Sequence, residues 1–219
     1  MVLDKGLGLE TAKSLMEISG DYVDYLKFGW GTSIIHDEDI IKAKVEMYKT
    51  HDIIPYTGGT LFELAFMNDK LDEFFKRAHE LGFPAIEISD GSINLAHEDK
   101  LESIRKAKEE GFIVLSEVGK KDPALDKELS LDERIEYMQS ELDAGSSLII
   151  VEAREGGKNI GIFDKAGNAK EDEIDYILSN EKVFPAVYLS YIRIALFAKD
   201  DSSDSLITFT KSSTDKSFK

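Results

Sequence analysis

Short apolar, β-branched runs alternate along the chain with longer segments of helical period. The runs fall near residues 2–4, 22–28, 53–57, 85–89, 112–118 and 148–153, spaced by about 30 residues, the length of one βα unit. The intervening helices show clear faces. In LSLDERIEYMQSELDAG, Leu131, Ile135, Met138 and Leu142 share one stripe, Ser130 with Glu133 reads as a capping box, and Gly145 as a C-cap. In KLDEFFKRAHELG, Leu71, Phe74, Phe75, Ala78 and Leu81 form a second stripe. The strand runs are continuous rather than alternating, which implies cover on both faces, as in parallel sheets. Residues 1 to about 180 thus read as six βα units, three-quarters of an eight-fold barrel or most of an open doubly wound sheet. LDKGLGLE, after the first run, lacks the GxGxxG spacing of a dinucleotide fold, which favours the barrel.

Three of these runs carry carboxylates where an apolar strand should have none. AIEISDGS holds Glu87 and Asp90, FIVLSEVGKKD holds Glu117 before Lys120 and Lys121, and LIIVEARE holds Glu152, Arg154 and Glu155. An unpaired buried charge costs several kcal/mol, so each needs a partner, a metal or a wet site. Side chains two apart share a strand face, which groups Glu87 with Ser89, Glu152 with Arg154, and Glu117 with Leu115 and Gly119. Lys121 continues that parity if the strand end stays extended. Lys27, Gly29 and Gly31 behave alike in YLKFGWGTS. Polar groups at the C-terminal ends of several strands converge where barrel enzymes place their active sites. Taken singly, each Glu also reads as a salt-bridge partner for a nearby Lys or Arg. Asp4 and Lys5 read equally as rim caps, His36, His51, His79 and His97 as solvated residues, and Trp30 as a loop-packing or a substrate-touching residue.

Composition narrows the partners. The chain has 219 residues, enough for one sizeable domain, and a net charge of −16, which repels polyanions and makes nucleic acid an unsuitable partner. A small anionic ligand would need local clusters such as Lys120 with Lys121, or Arg154 with Lys158. There is no cysteine, hence no disulfide framework, thiolate site or Cys nucleophile. No stretch has the ~18 apolar residues of a spanning helix, and MVLDKG shows no export signal, so no membrane association and a cytoplasmic location are expected.

The segments VLDKGL, DYVDYLKFGWGTS, GGTLFE, EISDGS, LSEVGKK, LDAGSSLIIVEARE and GKNIGIFD together resemble the phosphosulfolactate synthase family, archaeal enzymes of coenzyme M biosynthesis, in order and nearly without gaps to about residue 184. The resemblance implies a TIM-type barrel and Mg²⁺-dependent addition of sulfite to phosphoenolpyruvate, giving (2R)-phospho-3-sulfolactate. On that implication Glu87, Glu117 and Glu152 are metal candidates. Lys121, beside Lys120 and other cationic neighbours, is the candidate proton donor. Lys27 and Arg154 would clamp the anionic groups. Lys5, Gly58, Gly59, Thr60, Ser89, Lys120 and Gly156 are substrate-binding candidates, the glycines through backbone N–H groups. Plant heat-stress proteins also resemble the family without an established synthase activity. A non-catalytic barrel relative, a truncated inactive member and a different enol-phosphate enzyme therefore remain alternative readings.

After NEKVF the resemblance stops, and PAVYLSYIRIALFAKDDSSDSLITFTKSSTDKSFK completes the chain. The expected organisation is a barrel domain over 1–184 and an aberrant, poorly ordered tail over 185–219, with one amphipathic helix or strand allowed within 186–198. Six units leave strand edges open, and association into homo-oligomers through those edges is an expected outcome.

Overall fold

The structure, a computed structural model, describes residues 1–153, 158–180, 182–183, 186–189 and 211–212. They divide into two compact units, Met1–Glu87 and a second beginning at Ile88.

In the first unit β1 (Val2–Asp4), β2 (Tyr25–Phe28) and β3 (Ile54–Thr57) pair in parallel, and β3 pairs in parallel with β4 (Ala85–Ser89). Helices α1 (Leu9–Ser19), α2 (Thr32–Ile35), α3 (Glu38–Lys49), α4 (Gly59–Met67) and α5 (Leu71–Glu80) fill the connections. The stripe read at 71–81 is the buried face of α5: Phe74, Phe75 and Ala78 are buried, with Leu81 at its C-cap. The Phe28 ring meets Phe83 and Tyr48 edge-on, with centroids 5.0 and 6.0 Å apart. Burying each such ring contributes on the order of 2–3 kcal/mol.

In the second unit β5 (Ile113–Val118), β6 (Leu148–Val151) and β7 (Val187–Leu189) pair in parallel, and the two-residue β8 (Lys211–Ser212) lies antiparallel to β7. Its helices are α6 (His97–Glu109), α7 (Pro123–Asp126), α8 (Leu131–Ala144) and α9 (Glu171–Ser179). Helix α8 begins with the expected capping box, in which Ser130 Oγ accepts from the Glu133 N–H and the Glu133 carboxylate accepts from the Ser130 N–H. Ile135 and Met138 of α8 pack with Ile149 and Val151 of β6, and with Ile174 and Ile177 of α9, in one core.

The class is α/β, with parallel strands in sequential order and helical connections, the fold of an incomplete TIM-type barrel. The six expected strands are present. Strand β2 begins at Tyr25 rather than 22 because Gly20–Tyr22 closes into a 3₁₀ turn. A seventh parallel strand, β7, falls within the segment expected to hold one helix or strand; the antiparallel β8 departs from barrel geometry. The rest of the tail, with Arg154, Glu155, Gly156 and Gly157, lies outside the described residues.

Candidate functional site

Each unit gathers polar side chains at the C-terminal ends of its strands. In the first unit Glu87, 1% exposed on β4, accepts from Lys27 Nζ at 2.7 Å and from the Gly59 N–H at 2.9 Å. The carboxylate thus lies at the N-terminus of α4, where the helix dipole favours it. Gly58 sits so close to Phe28 O and Lys27 Cε that a Cβ there would lie 3.0 and 3.1 Å from them. The candidates Lys27, Glu87, Gly58 and Gly59 are therefore one cluster, with the Gly59 N–H directed to a protein carboxylate. Thr60 is exposed in the first turn of α4.

Asp4 is the other carboxylate of this unit, and it is fully buried. Its Oδ1 accepts from the Gly6 and Leu7 N–H groups at 2.8 Å each; its Oδ2 faces Lys44 Nζ at 2.6 Å and Tyr48 OH at 3.0 Å. The β1–α1 loop carrying Lys5 is thereby pinned, which matches the rim-cap reading of Asp4. Lys5 Nζ stands 5.4 Å above the Trp30 ring. Trp30 is exposed and adopts φ +58, an uncommon conformation for a bulky residue.

In the second unit Glu117 is 4% exposed near the end of β5, and Glu152, also 4% exposed, comes directly after β6, its N–H donating to Val118 O at 3.0 Å. Gly119 ends β5 with φ +127. That turn takes Lys121 off the strand, so it does not continue the parity of Glu117; instead its backbone N–H donates to Gly91 O at 2.9 Å. A Cβ on Gly91 would lie 3.2 Å from Lys121 Cγ and Cε and 3.4 Å from Glu117 Oε1. The absence of a side chain at Gly91 lets Lys121 and Glu117 approach the same point. Beside them opens a cleft of about 970 Å³ lined by Gly91, Ser92, Asn94, Lys120, Lys121 and Asp122 among others. Ser89 is fully buried on β4.

Residues not singled out as site candidates hold this arrangement together. Asp126, in α7, accepts from the Lys120 N–H at 3.0 Å, from Arg134 Nη2 at 3.1 Å and from the Gly161 N–H at 2.9 Å. Lys100 of α6 is 2% exposed and lies 2.9 Å from Asp90 Oδ1, 2.6 Å from Glu141 Oε1 and 2.6 Å from the Glu117 carbonyl. Burial alone would drive the Lys100 ammonium towards neutrality, but Glu141 and Asp90 outweigh it and hold it above the usual lysine range. Burial likewise pushes the Asp90 carboxyl up, and the charge of Lys100 with the hydrogen bond from Lys120 more than reverses that. Glu141, fully buried, is pushed up by burial against the pull of Lys100. The sequence held one signal for Lys100: it falls in step with Ser103, Ile104 and Ala107 on the buried stripe of α6. His97 is not solvated as expected. Its ring stacks on Tyr137 at 4.0 Å and its Nε2 lies 2.8 Å from Ser140 Oγ.

Among the described residues no group of three or more His, Asp or Glu side chains is placed to hold a metal ion by itself. Mg²⁺ does not need such a group, because it keeps several waters and takes one or two carboxylates with substrate oxygens. A buried Glu117 carboxylate facing the gap at Gly91, beside a polar cleft, fits that kind of site.

A family model described as (2R)-phospho-3-sulfolactate synthase (ComA) matches residues 1–185. The chain belongs to this family. The phosphosulfolactate synthase of Methanothermobacter thermautotrophicus is 52% identical over 177 residues, covering 81% of this chain and 69% of that protein. The phosphosulfolactate synthase of Methanocaldococcus jannaschii is 46% identical over 188 residues, covering 86% and 75%. Among solved structures, a putative phosphonomutase from Burkholderia cenocepacia superposes with a TM-score of 0.54 at 10% identity, covering 85% of this chain and 76% of that one, a likeness of fold alone. The chain spans 57–58% of the length of three further solved structures that it matches. Membership of the phosphosulfolactate synthase family places the chain among enzymes, and the clusters around Glu87 and Gly91 lie inside the matched span.

Proposed function

We propose that the chain is a phosphosulfolactate synthase that adds sulfite to phosphoenolpyruvate. The observation that carries this reading beyond family membership is the convergence of Lys121 and Glu117 on Gly91, beside a cleft lined by lysines. The sulfur lone pair of sulfite forms a bond to the CH₂ carbon of phosphoenolpyruvate, and the π electrons of the double bond move into the carboxylate. A proton then reaches the phosphate-bearing carbon, giving phospho-3-sulfolactate. Lys121 supplies that proton as general acid. Lys27, held 2.7 Å from Glu87, and Lys5, on the pinned β1–α1 loop, are cations of the first unit suited to an anionic group. Glu117 and Glu152 are the carboxylates that would hold Mg²⁺, which would supply charge neutralisation to the anionic oxygens.

The test is loss of sulfite in the presence of phosphoenolpyruvate and Mg²⁺, with the sulfolactate product identified by mass. Lys121→Ala should lower kcat by roughly 100-fold or more, the usual size of a lost general acid, without shifting the urea midpoint. Unimpaired turnover in Lys121→Ala would remove Lys121 from its role.

A further inference from the structure

Two neighbouring lysines sit at the cleft, yet the structure uses them differently. An ammonium has three N–H donors. Those of Lys120 meet Asp90 Oδ2, the Asp90 carbonyl at 2.8 Å and the Ile93 carbonyl at 3.4 Å. Lys100 donates to Asp90 Oδ1 and to the Glu117 carbonyl and forms an ion pair with Glu141 Oε1 at 2.6 Å. Asp90 therefore stands between two ammonium groups already engaged by protein acceptors, one on α6 and one on the loop after β5. Its neighbour Gly91 accepts the backbone N–H of Lys121 and lies against the side chains of Lys121 and Glu117.

We propose that Lys100, Asp90 and Lys120 form a positioning bridge that sets the β4–α6 loop, and through Gly91 the side chain of Lys121, and that Lys120 does not bind substrate. The proposal rests on the reading of Lys121 as proton donor. It replaces a role expected for Lys120 from the resemblance, an anion contact, with an internal one. The physical reason is donor engagement: an anion could accept a hydrogen bond from Lys120 only in competition with Asp90 and the two carbonyls. Lys121 contributes its backbone N–H to the same bridge while its side chain lies at the cleft.

Steady-state kinetics with phosphoenolpyruvate and sulfite separate the two roles. Lys120→Met should lower kcat about tenfold or more through misplacement of Lys121, while KM for phosphoenolpyruvate changes less than about threefold. Asp90→Asn should do the same, and the double variant Asp90→Asn with Lys120→Met should be no worse than either single one, because the bridge is already broken. Lys120→Arg, which keeps a cation and several donors, should recover part of kcat. A rise in KM of tenfold or more at unchanged kcat in Lys120→Met would show that Lys120 binds substrate and would overturn the proposal. Amide hydrogen exchange supplies a readout that needs no turnover. Exchange at residues 91–96 should quicken in Lys120→Met and in Asp90→Asn but not in Lys121→Ala, which keeps its backbone N–H. Unchanged exchange in both bridge variants would sink the bridge even in an active enzyme. Absence of synthase activity in the unaltered protein, with quickened exchange in the variants, would sink the catalytic reading and leave the bridge standing.

Discussion

Gly119 shows at the scale of one residue how closely the site is built. A Cβ placed on it would lie 2.9 Å from Arg134 Nη1 and 2.9 Å from Glu152 Cβ, and its φ of +127 is one that L side chains rarely adopt. Gly119→Ala should therefore cost roughly 2–4 kcal/mol, read as a lower urea midpoint, with activity falling because Glu152 and the Arg134–Asp126 pair must move. Glu117→Gln keeps shape but removes charge. Mg²⁺ affinity should fall in a calorimetric titration while thermal stability holds, whereas strong destabilisation would show that the carboxylate serves a lysine instead. The three strand-end glutamates were legible as carboxylates needing partners, since a carboxylate inside an apolar run demands an explanation, and all three are buried. Lys100 and Asp126 were not, because a lysine in a helix and an aspartate after a proline read as solvated until the fold brings partners from distant elements. Glu141 was equally hidden, 41 residues along the chain from Lys100.

At the scale of elements, period and caps carried most of the information. Strand β4 occupies the five residues expected of it and α8 starts at its capping box, because burial on both faces and a local hydrogen-bond exchange each leave a pattern that needs no distant partner. The turn out of β5 at Gly119 was not legible, since its course depends on the side chains that crowd it. Helices α6 and α8 also meet through His97, whose ring lies against Tyr137. Burial, reinforced by Lys100 and opposed by Asp90 and Glu98, holds the His97 pKa below its ordinary 6.5. A depressed value means that the unfolded chain takes up the proton first, so the stability contribution is present above 6.5 and is lost as pH falls from there towards the folded value. Between about pH 7 and pH 5 the urea midpoint of the unaltered protein should fall more steeply than that of His97→Phe. Parallel slopes would mean that His97 titrates alike in both states.

For the whole molecule, the −16 charge sets the background against which every local cluster works. Self-repulsion among carboxylates destabilises a folded chain and is screened by salt, so raising NaCl from about 0.01 M to about 0.15 M should raise the melting temperature. A melting temperature that falls with salt would show that attractive surface pairs dominate instead. Among the described residues no helix is long and apolar enough to cross a membrane. The fold class was legible at this scale because the repeat of strand and helix is a property of the whole chain, while β7, three residues long and beyond the last clear period, was legible only as a helix or strand within 186–198. Trp30 is the single tryptophan of the sequence, 67% exposed, held at φ +58 with the Lys5 ammonium 5.4 Å above its ring. Excited at the red edge of its absorption band, the molecule therefore emits from one address at the exit of β2, and any ligand that draws Lys5 off the indole rewrites that spectrum with no label attached.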